Sequence, residues 1–323
     1  MMVRRVFTLC LVALALAGIL CACEEENRYV DTYEYIWTDP EAETWLAEQN
    51  GWIFRTMKTW YFWNDQLLDS CDYDFSLEPK RFFEQLIVPE DRFSYCVPYE
   101  GYAGTRSAQD TEVEGKYVFD VSGRRVGYLA YGSFGASATL MEPFRWFHSQ
   151  EVTDFIIDLR GNPGGAISTC KLLASLLVPR EHIGDIFCTY KYNCTQALAN
   201  NHVEYLQSSS FVQENHLDID HLVVLVNGGS ASCSELFINS LRPYRQVVVV
   251  GDTTVGKDVG MHVFSSPRYK YELSPITFRT YNAHGDSVPM TGIVPDYHVA
   301  SSKQVCDSTE QALALALELV ARP

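Results

Sequence analysis

The stretch that decides the reading of this chain is Asn227-Gly228-Gly229-Ser230-Ala231-Ser232-Cys233-Ser234-Glu235, with its continuation to Val247-Val248-Val249-Val250 and Gly251-Asp252-Thr253-Thr254-Val255-Gly256-Lys257. The apolar run His221–Val226 reads as a buried strand, the small residues as a tight turn, the next segment as a helix, and the four valines as a second strand that delivers one lysine. Strand, turn, helix presents a side chain at a helix N-terminus, where free N–H groups and the macrodipole favour developing negative charge. A serine there is a weak nucleophile until a nearby group takes its proton. Lys257 lies in a glycine-bounded turn just after an apolar strand, and a lysine becomes a base when burial pulls its pKa down. Taken alone the serine turn is an ordinary N-cap. With the lysine it becomes a candidate Ser232–Lys257 dyad, the compact variant of serine–histidine chemistry.

Outward from this stretch, the chain has 323 residues, 47% of them hydrophobic, enough for one large domain or two modest ones. A formal charge of −16 argues against nucleic-acid binding and against an electrostatic grip on anionic lipid. Residues 1–23 have the form of an export signal: Arg4 and Arg5 precede an apolar run to Ile19 that is too short for a membrane span. It ends Leu20-Cys21-Ala22-Cys23, which resembles a bacterial lipobox and implies lipidation at Cys23. Glu24-Glu25-Glu26 resembles the surface-export tag of Bacteroides-type lipoproteins. The expected location is therefore outside the cytoplasm, lipid-anchored at the outer membrane or cell surface.

The body cysteines contain no C-x-x-C pair, so neither a zinc ribbon nor a thioredoxin-like motif is expected, and Cys188 with Cys194 is the one candidate disulfide. No H-E-x-x-H occurs among the scattered histidines, and no nucleotide loop is present, so neither metal nor cofactor is expected. His262 lies near Lys257 in sequence and reads as a core or surface histidine. Cys233 is discounted as a thiol nucleophile because one step along a helix turns the side chain about 100° away.

Residues 24–37 read as a tether. Residues 38–95 read as a small helical subdomain: a helix from Asp39-Pro40 to Asn50-Gly51, a second over 52–68, and a third over 78–87. Residues 96–115 are Gly-rich and polar, a linker. From 116 the texture alternates: a hairpin around Ser122-Gly123, a helix over 138–147, a strand over 154–159, a helix over 167–177 and a strand over 186–190. Residues 193–218 read as an insertion without a period. Later strands are expected over 261–264, 269–273 and 276–281. Asp307-Ser308-Thr309-Glu310 reads as a capping box for a last helix.

Three motifs resemble the carboxyl-terminal-processing, or tail-specific, serine peptidases: Asn227–Glu235, Val249–Lys257, and Asp158-Leu159-Arg160-Gly161-Asn162-Pro163-Gly164-Gly165. Gly292-Ile293-Val294-Pro295-Asp296 matches a closing motif, and Pro89–Ser94 resembles the end of the N-terminal segment of secreted members. The resemblance implies Ser232 as nucleophile, Lys257 as general base, and an oxyanion hole from the amides of Cys233, Gly164 and Gly165. It implies an α/β (α+β) fold, a crotonase/Clp-peptidase-like αβ spiral core over 116–323 behind the helical subdomain, and a protein or peptide substrate. Tyr131, Phe134 and Gly229 are candidate cleft residues. Two features depart from the family pattern. The segment between Ser94 and Lys116 is far too short for the PDZ domain that binds substrate tails, and Met261 stands where some members carry a lysine-orienting glutamine. The expected function is an exported serine endopeptidase. The competing reading is a weak or inactive peptide- or apolar-ligand-binding lipoprotein on the same fold.

Overall fold

The computed structural model describes residues 28–30, 42–100, 112–300 and 303–322. The expected export signal with Cys23, most of the tether, and the middle of the linker lie outside the described residues.

A six-stranded sheet forms the centre. Its strands are β3 (Val113–Val121), β4 (Arg124–Tyr131), β5 (Asp154–Asp158), β8 (Leu222–Val226), β9 (Val247–Gly251) and β14 (Tyr297–His298), in the order β14-β9-β8-β5-β4-β3. The hairpin β3–β4 is antiparallel; β4, β5, β8, β9 and β14 run parallel to one another. The hairpin turn needs left-handed backbone at Ser122 and Gly123 (φ 51° and 81°), the geometry that matches strand twist. β5 and β8 are buried at every position, which is why they read as continuous apolar runs without alternation.

Helices α3 (Met141–Ser149), α4 (Ile167–Leu177) and α7 (Cys233–Leu241) cover one face, and their core includes Phe144, Phe147, Phe155, Leu173 and Phe237, all 0% exposed. The last helix α8 (Gln311–Ala321) covers the other face with Ala312, Leu313 and Ala316. Its N-cap is Glu310, whose carboxylate accepts from the N–H groups of Ala312 and Leu313, so the helix starts later than the expected capping box. Parallel strands joined by helices suit a ligand site at the strands' C-terminal edge. β5 and β8 there deliver the Gly-rich loop and the serine turn side by side.

A second sheet, in the order β10-β13-β6-β7, joins β10 (Val259–Met261), β13 (Ile276–Tyr281), β6 (Ile186–Tyr192) and β7 (His202–Tyr205), all antiparallel. The insertion is thus structured: besides β7 it holds α5 (Ala197–Asn200) and α6 (Ser210–Asn215). These elements are too short to leave a period. A third sheet, β1-β11-β12-β2, contains β1 (Arg28–Val30), β11 (Val263–Ser266), β12 (Tyr271–Ser274) and β2 (Tyr95–Pro98).

The N-terminal helices differ from expectation. One helix, α1, runs unbroken over Ala42–Trp60 through Asn50-Gly51. Asn50 is buried and its side chain donates to the carbonyls of Phe75 and Leu77, so it anchors the following loop instead of ending the helix. The next helix, α2, is Pro79–Gln85, with Glu78 accepting from Lys80 and Arg81 N–H. Both pack on β11 and β12: Trp52, Met57, Tyr61, Phe82 and Phe83 share one core with Phe264, Tyr269 and Leu273. The aromatic density of α1 is core packing. Cys188 is buried and Cys194 exposed, and both thiols are free, so the candidate disulfide does not form.

Candidate active site

The serine turn and the Gly-rich loop are stitched together by backbone and short polar side chains. Ala231 N–H donates to Asn162 O at 3.0 Å, Ser230 Oγ to Leu159 O at 2.7 Å, and Ser234 Oγ to Asn162 O at 3.0 Å. Gly161 N–H donates to Asn227 Oδ1 at 2.8 Å. Behind the loop, Arg160 is 2% exposed and its guanidinium bonds both Asp158 (2.7 Å) and Glu310 (3.0 Å), which ties the loop's base to α8. Tyr128 donates to Asp158 at 2.9 Å, so the buried carboxylate is fully engaged.

At the head of α7, Ser232 has φ 55° and ψ −112°. A left-handed backbone at a non-glycine residue costs about 1–3 kcal/mol and clusters where function needs it. Its cost is borne by hydrogen bonds on both sides: Ser232 N–H donates to Glu235 Oε2 at 2.9 Å, and Ser232 O accepts from Glu235 and Leu236 N–H at 2.9 and 2.8 Å. Gly164 abuts this turn so closely that a Cβ on it would lie 2.7 Å from Ser232 Cβ and 2.9 Å from Cys233 N. Only glycine fits, and its φ of +104° demands glycine as well.

The amides separate into two kinds. Gly164 N–H is already donated to Asn162 Oδ1 at 2.9 Å, so it is not a free oxyanion donor as the motif implied. Gly165 pairs with Phe134 as a parallel bridge carried by Phe134 N–H to Gly164 O and Ala166 N–H to Phe134 O. This leaves Gly165 N–H outside the ladder. Among the described residues neither the Gly165 nor the Cys233 N–H has an acceptor. The Cys233 thiol turns inward and donates to Gly165 O at 3.0 Å.

Lys257 sits in the loop between β9 and β10. Its backbone N–H donates to Glu235 Oε2 at 2.8 Å, Gly256 N–H to Glu235 Oε1 at 2.6 Å, and Thr254 Oγ1 to the same oxygen at 2.5 Å. Arg92, from the segment before β2, reaches over the loop and donates from Nη2 to the carbonyls of Val255 (3.2 Å), Gly256 (2.9 Å) and Met290 (3.0 Å). The Lys257 ammonium lies 5.2 Å from the Phe93 ring centroid and forms no ion pair with the described residues. Burial holds its pKa below the ordinary lysine value, against the opposing pull of Cys233 and Glu235.

Ser232 and Lys257 line one cavity of about 240 Å³, with Gly165 and Cys233 beside the serine. Its remaining wall is mostly apolar and includes Ile167, Leu236, Met261, Phe278 and Val288. Tyr131, Phe134 and Gly229 are not on that wall. Tyr131 and Phe134 are core residues, 0% and 1% exposed, the Tyr131 hydroxyl being 3.2 Å from Thr139 Oγ1. Gly229 is exposed, with its N–H donated to Asn227 Oδ1 at 2.9 Å. Alternation along β4 puts Tyr131 on the helix-covered face. His262 is also core: its Nδ1 is 2.7 Å from Thr277 Oγ1, it packs on Trp60 and Phe278, and burial pushes its pKa down to about 4. Asn162, Asn227, Arg92 and Glu235 all lie within the sequence motifs, but the motifs assign no role to any of them. Only Glu235, three residues after a helix-capping serine, carried a local signal.

Residues 125–299 match Peptidase family S41, and residues 48–95 match the Peptidase S41 N-terminal domain. Among curated proteins, a carboxyl-terminal-processing protease of Synechocystis sp. (strain ATCC 27184 / PCC 6803 / Kazusa) is 29% identical over 178 residues, which is 54% of this chain and 38% of the relative. A protein of the same name from Picosynechococcus sp. is 28% identical over 148 residues, 45% of this chain and 32% of the relative. The chain thus matches well under half the length of either. Among solved structures, a Bacteroides fragilis protein described as an S41 protease superposes with a TM-score of 0.75 at 19% identity, covering 89% of this chain and 99% of that one. A Parabacteroides merdae protein described as a peptidase superposes with a TM-score of 0.57 at 19% identity, covering 85% and 97%. These superpositions show the fold: α/β, with the small N-terminal domain in front. With the family match spanning more than half its length, this chain belongs to peptidase family S41.

Proposed function

We propose that this chain is an exported serine endopeptidase working through a Ser232–Lys257 dyad. The observation that carries it is the single cavity shared by a conformationally strained serine at a helix N-terminus and a half-buried lysine whose pKa is depressed. Neutral Lys257 takes the Ser232 proton as Oγ attacks the peptide carbonyl. The two uncommitted amides, of Cys233 and Gly165, receive the oxyanion, aided by the positive end of the α7 dipole. The lysine, now protonated, gives its proton to the leaving amine. Water, deprotonated by the same lysine, then releases the acyl group. Every group in this sequence belongs to the chain, and no metal or cofactor is called for.

The apolar wall of Ile167, Leu236, Phe278 and Val288 suits a small or medium apolar side chain next to the scissile bond. The export signal and Cys23 support a lipid-anchored protein outside the cytoplasm. Residues 101–111, the undescribed part of the linker, are far too few for a domain, which starts at about 50 residues. That leaves no room for a tail-binding PDZ domain between Ser94 and Lys116 and supports a reading in which substrate is gripped at the cavity itself. Hydrolysis of unfolded casein tests the proposal: the wild type cleaves it, and Ser232→Ala and Lys257→Ala each abolish cleavage. A wild type that cleaves nothing, or a Ser232→Ala variant that still cleaves, overturns it.

A further inference from the structure

One carboxylate oxygen, Glu235 Oε2, accepts the backbone N–H of Ser232 at 2.9 Å and of Lys257 at 2.8 Å. The carboxylate is 0% exposed, and its other oxygen takes Gly256 N–H and the Thr254 hydroxyl. Arg92 binds the opposite ends of the same peptide groups. The Val255–Gly256 peptide has its N–H on Glu235 and its C=O on Arg92; the Gly256–Lys257 peptide has the same arrangement. Two peptide dipoles thus lie side by side and parallel between a carboxylate and a guanidinium, each in the orientation that both charges favour. Gly256 permits it: its φ is +82°, and a Cβ would meet Met290 O at 2.2 Å. Met261, at the position where the resemblance expects a lysine-orienting glutamine, carries a thioether that cannot orient an ammonium in the same way.

Building on the dyad reading above, we propose that Glu235 and Arg92 are the positioning residues of Lys257. They act through its backbone and set the serine–lysine separation that a side-chain partner sets elsewhere. A group held through two bonded peptide units moves less than one on a free loop, and small misplacement of a reacting group is costly. The consequence is that the N-terminal segment, through Arg92, completes the site.

The test uses the full chain and five forms: wild type, Glu235→Gln, Arg92→Met, Arg92→Lys and the double variant Glu235→Gln/Arg92→Met. Each is measured for hydrolysis of a fluorogenic peptide with an apolar residue before the cleaved bond, and for Ser232 labelling by a fluorophosphonate. Glu235→Gln is expected to lower kcat about 100-fold and Arg92→Met about 10-fold, both with KM little changed. Arg92→Lys recovers part of the loss. The double variant falls short of the product of the singles, because both act on the same two peptide groups.

A second readout separates positioning from general loosening. The charges that act on the ammonium are Cys233 and Glu235 from α7; Asp258, next in its loop, is ion-paired with Arg279 from β13, and the Arg92 guanidinium stacks on the same Phe93 ring as the ammonium, 4.8 and 5.2 Å from its centroid. Removing the negative charge at 235 shifts the midpoint of the pH–rate curve to lower pH. Removing the positive charge at 92 shifts it to higher pH. A purely structural lesion lowers Tm and moves neither midpoint. Arg92 is solvent-exposed, so its variants fold even where Glu235→Gln does not, and they decide alone. Wild-type kcat and midpoint in Arg92→Met, or losses that multiply in the double variant, overturn the positioning role while leaving the dyad standing. An unlabelled wild type overturns the dyad and this role with it.

Discussion

At the residue scale, Lys257 carries the strongest physical consequence. Its pKa is depressed by burial, so the unfolded chain binds more protons than the folded one between the folded value and the ordinary lysine value. By linkage, stability rises with pH across that window, and below it the protein bears the full cost of a buried ammonium. Lys257→Met is therefore expected to be more thermostable than the wild type at pH 7, with the gap narrowing as pH approaches about 10.4, the unperturbed lysine pKa. Thermal unfolding across pH 6–10 measures it; a constant gap contradicts the assigned burial. Gly164 is the other decisive residue. Gly164→Ala forces a Cβ against Ser232 and Cys233 N at a φ that alanine resists. The expected result is a fall of about 100-fold in serine labelling, comparable with loss of one oxyanion donor. Wild-type labelling would show that the close approach is unnecessary.

The elements explain which parts of the site were legible in the sequence. β5, β8 and β9 announced themselves as short apolar runs, and each was followed by glycines, so the three loops that build the site were readable with the pair Ser232 and Lys257 on them. The contacts that join those loops were not. Asn162, Asn227 and Arg92 act across gaps in sequence of 31 to 198 residues, and single polar residues in loops have no period to betray them. Asn50-Gly51 misled in the opposite direction: a helix-stop signal was overridden because the asparagine amide found tertiary partners. Tyr131 looked like a cleft aromatic because the face of β4 was unknown, and Phe134, past the end of that strand, because its bridge to Gly165 leaves no local signal. Arg160 is the element-scale hinge of stability, joining β5, the Gly-rich loop and α8. Arg160→Met strands the buried carboxylates of Asp158 and Glu310 and is expected to cost about 3–5 kcal/mol. Urea unfolding checks this; a loss under about 1 kcal/mol is inconsistent with a buried ion-pair triad.

Across the whole molecule, the N-terminal helices and the β11–β12 hairpin share one hydrophobic core, and Phe62 N–H and Ser94 Oγ bond the two ends of Ile276. The small N-terminal domain therefore has no independent core of its own. Calorimetry is expected to show one cooperative transition, and Phe82→Ala is expected to lower its free energy by about 3–5 kcal/mol. Two separated transitions contradict this. If substrate is gripped at the cavity, as proposed, amidating the C-terminus of a peptide substrate leaves its cleavage rate unchanged, whereas tail recognition makes the free carboxylate essential.

If the strained Ser232 is activated by neutral, half-buried Lys257, as proposed, the ionisation of that lysine governs the pH dependence of fluorophosphonate labelling at Ser232. In the wild type the labelling rate is expected to rise with pH through a single midpoint below the ordinary lysine value, and in Lys257→Met it falls at least about 1,000-fold and loses that midpoint. A Lys257→Met protein labelled at the wild-type rate with the same pH profile contradicts the account.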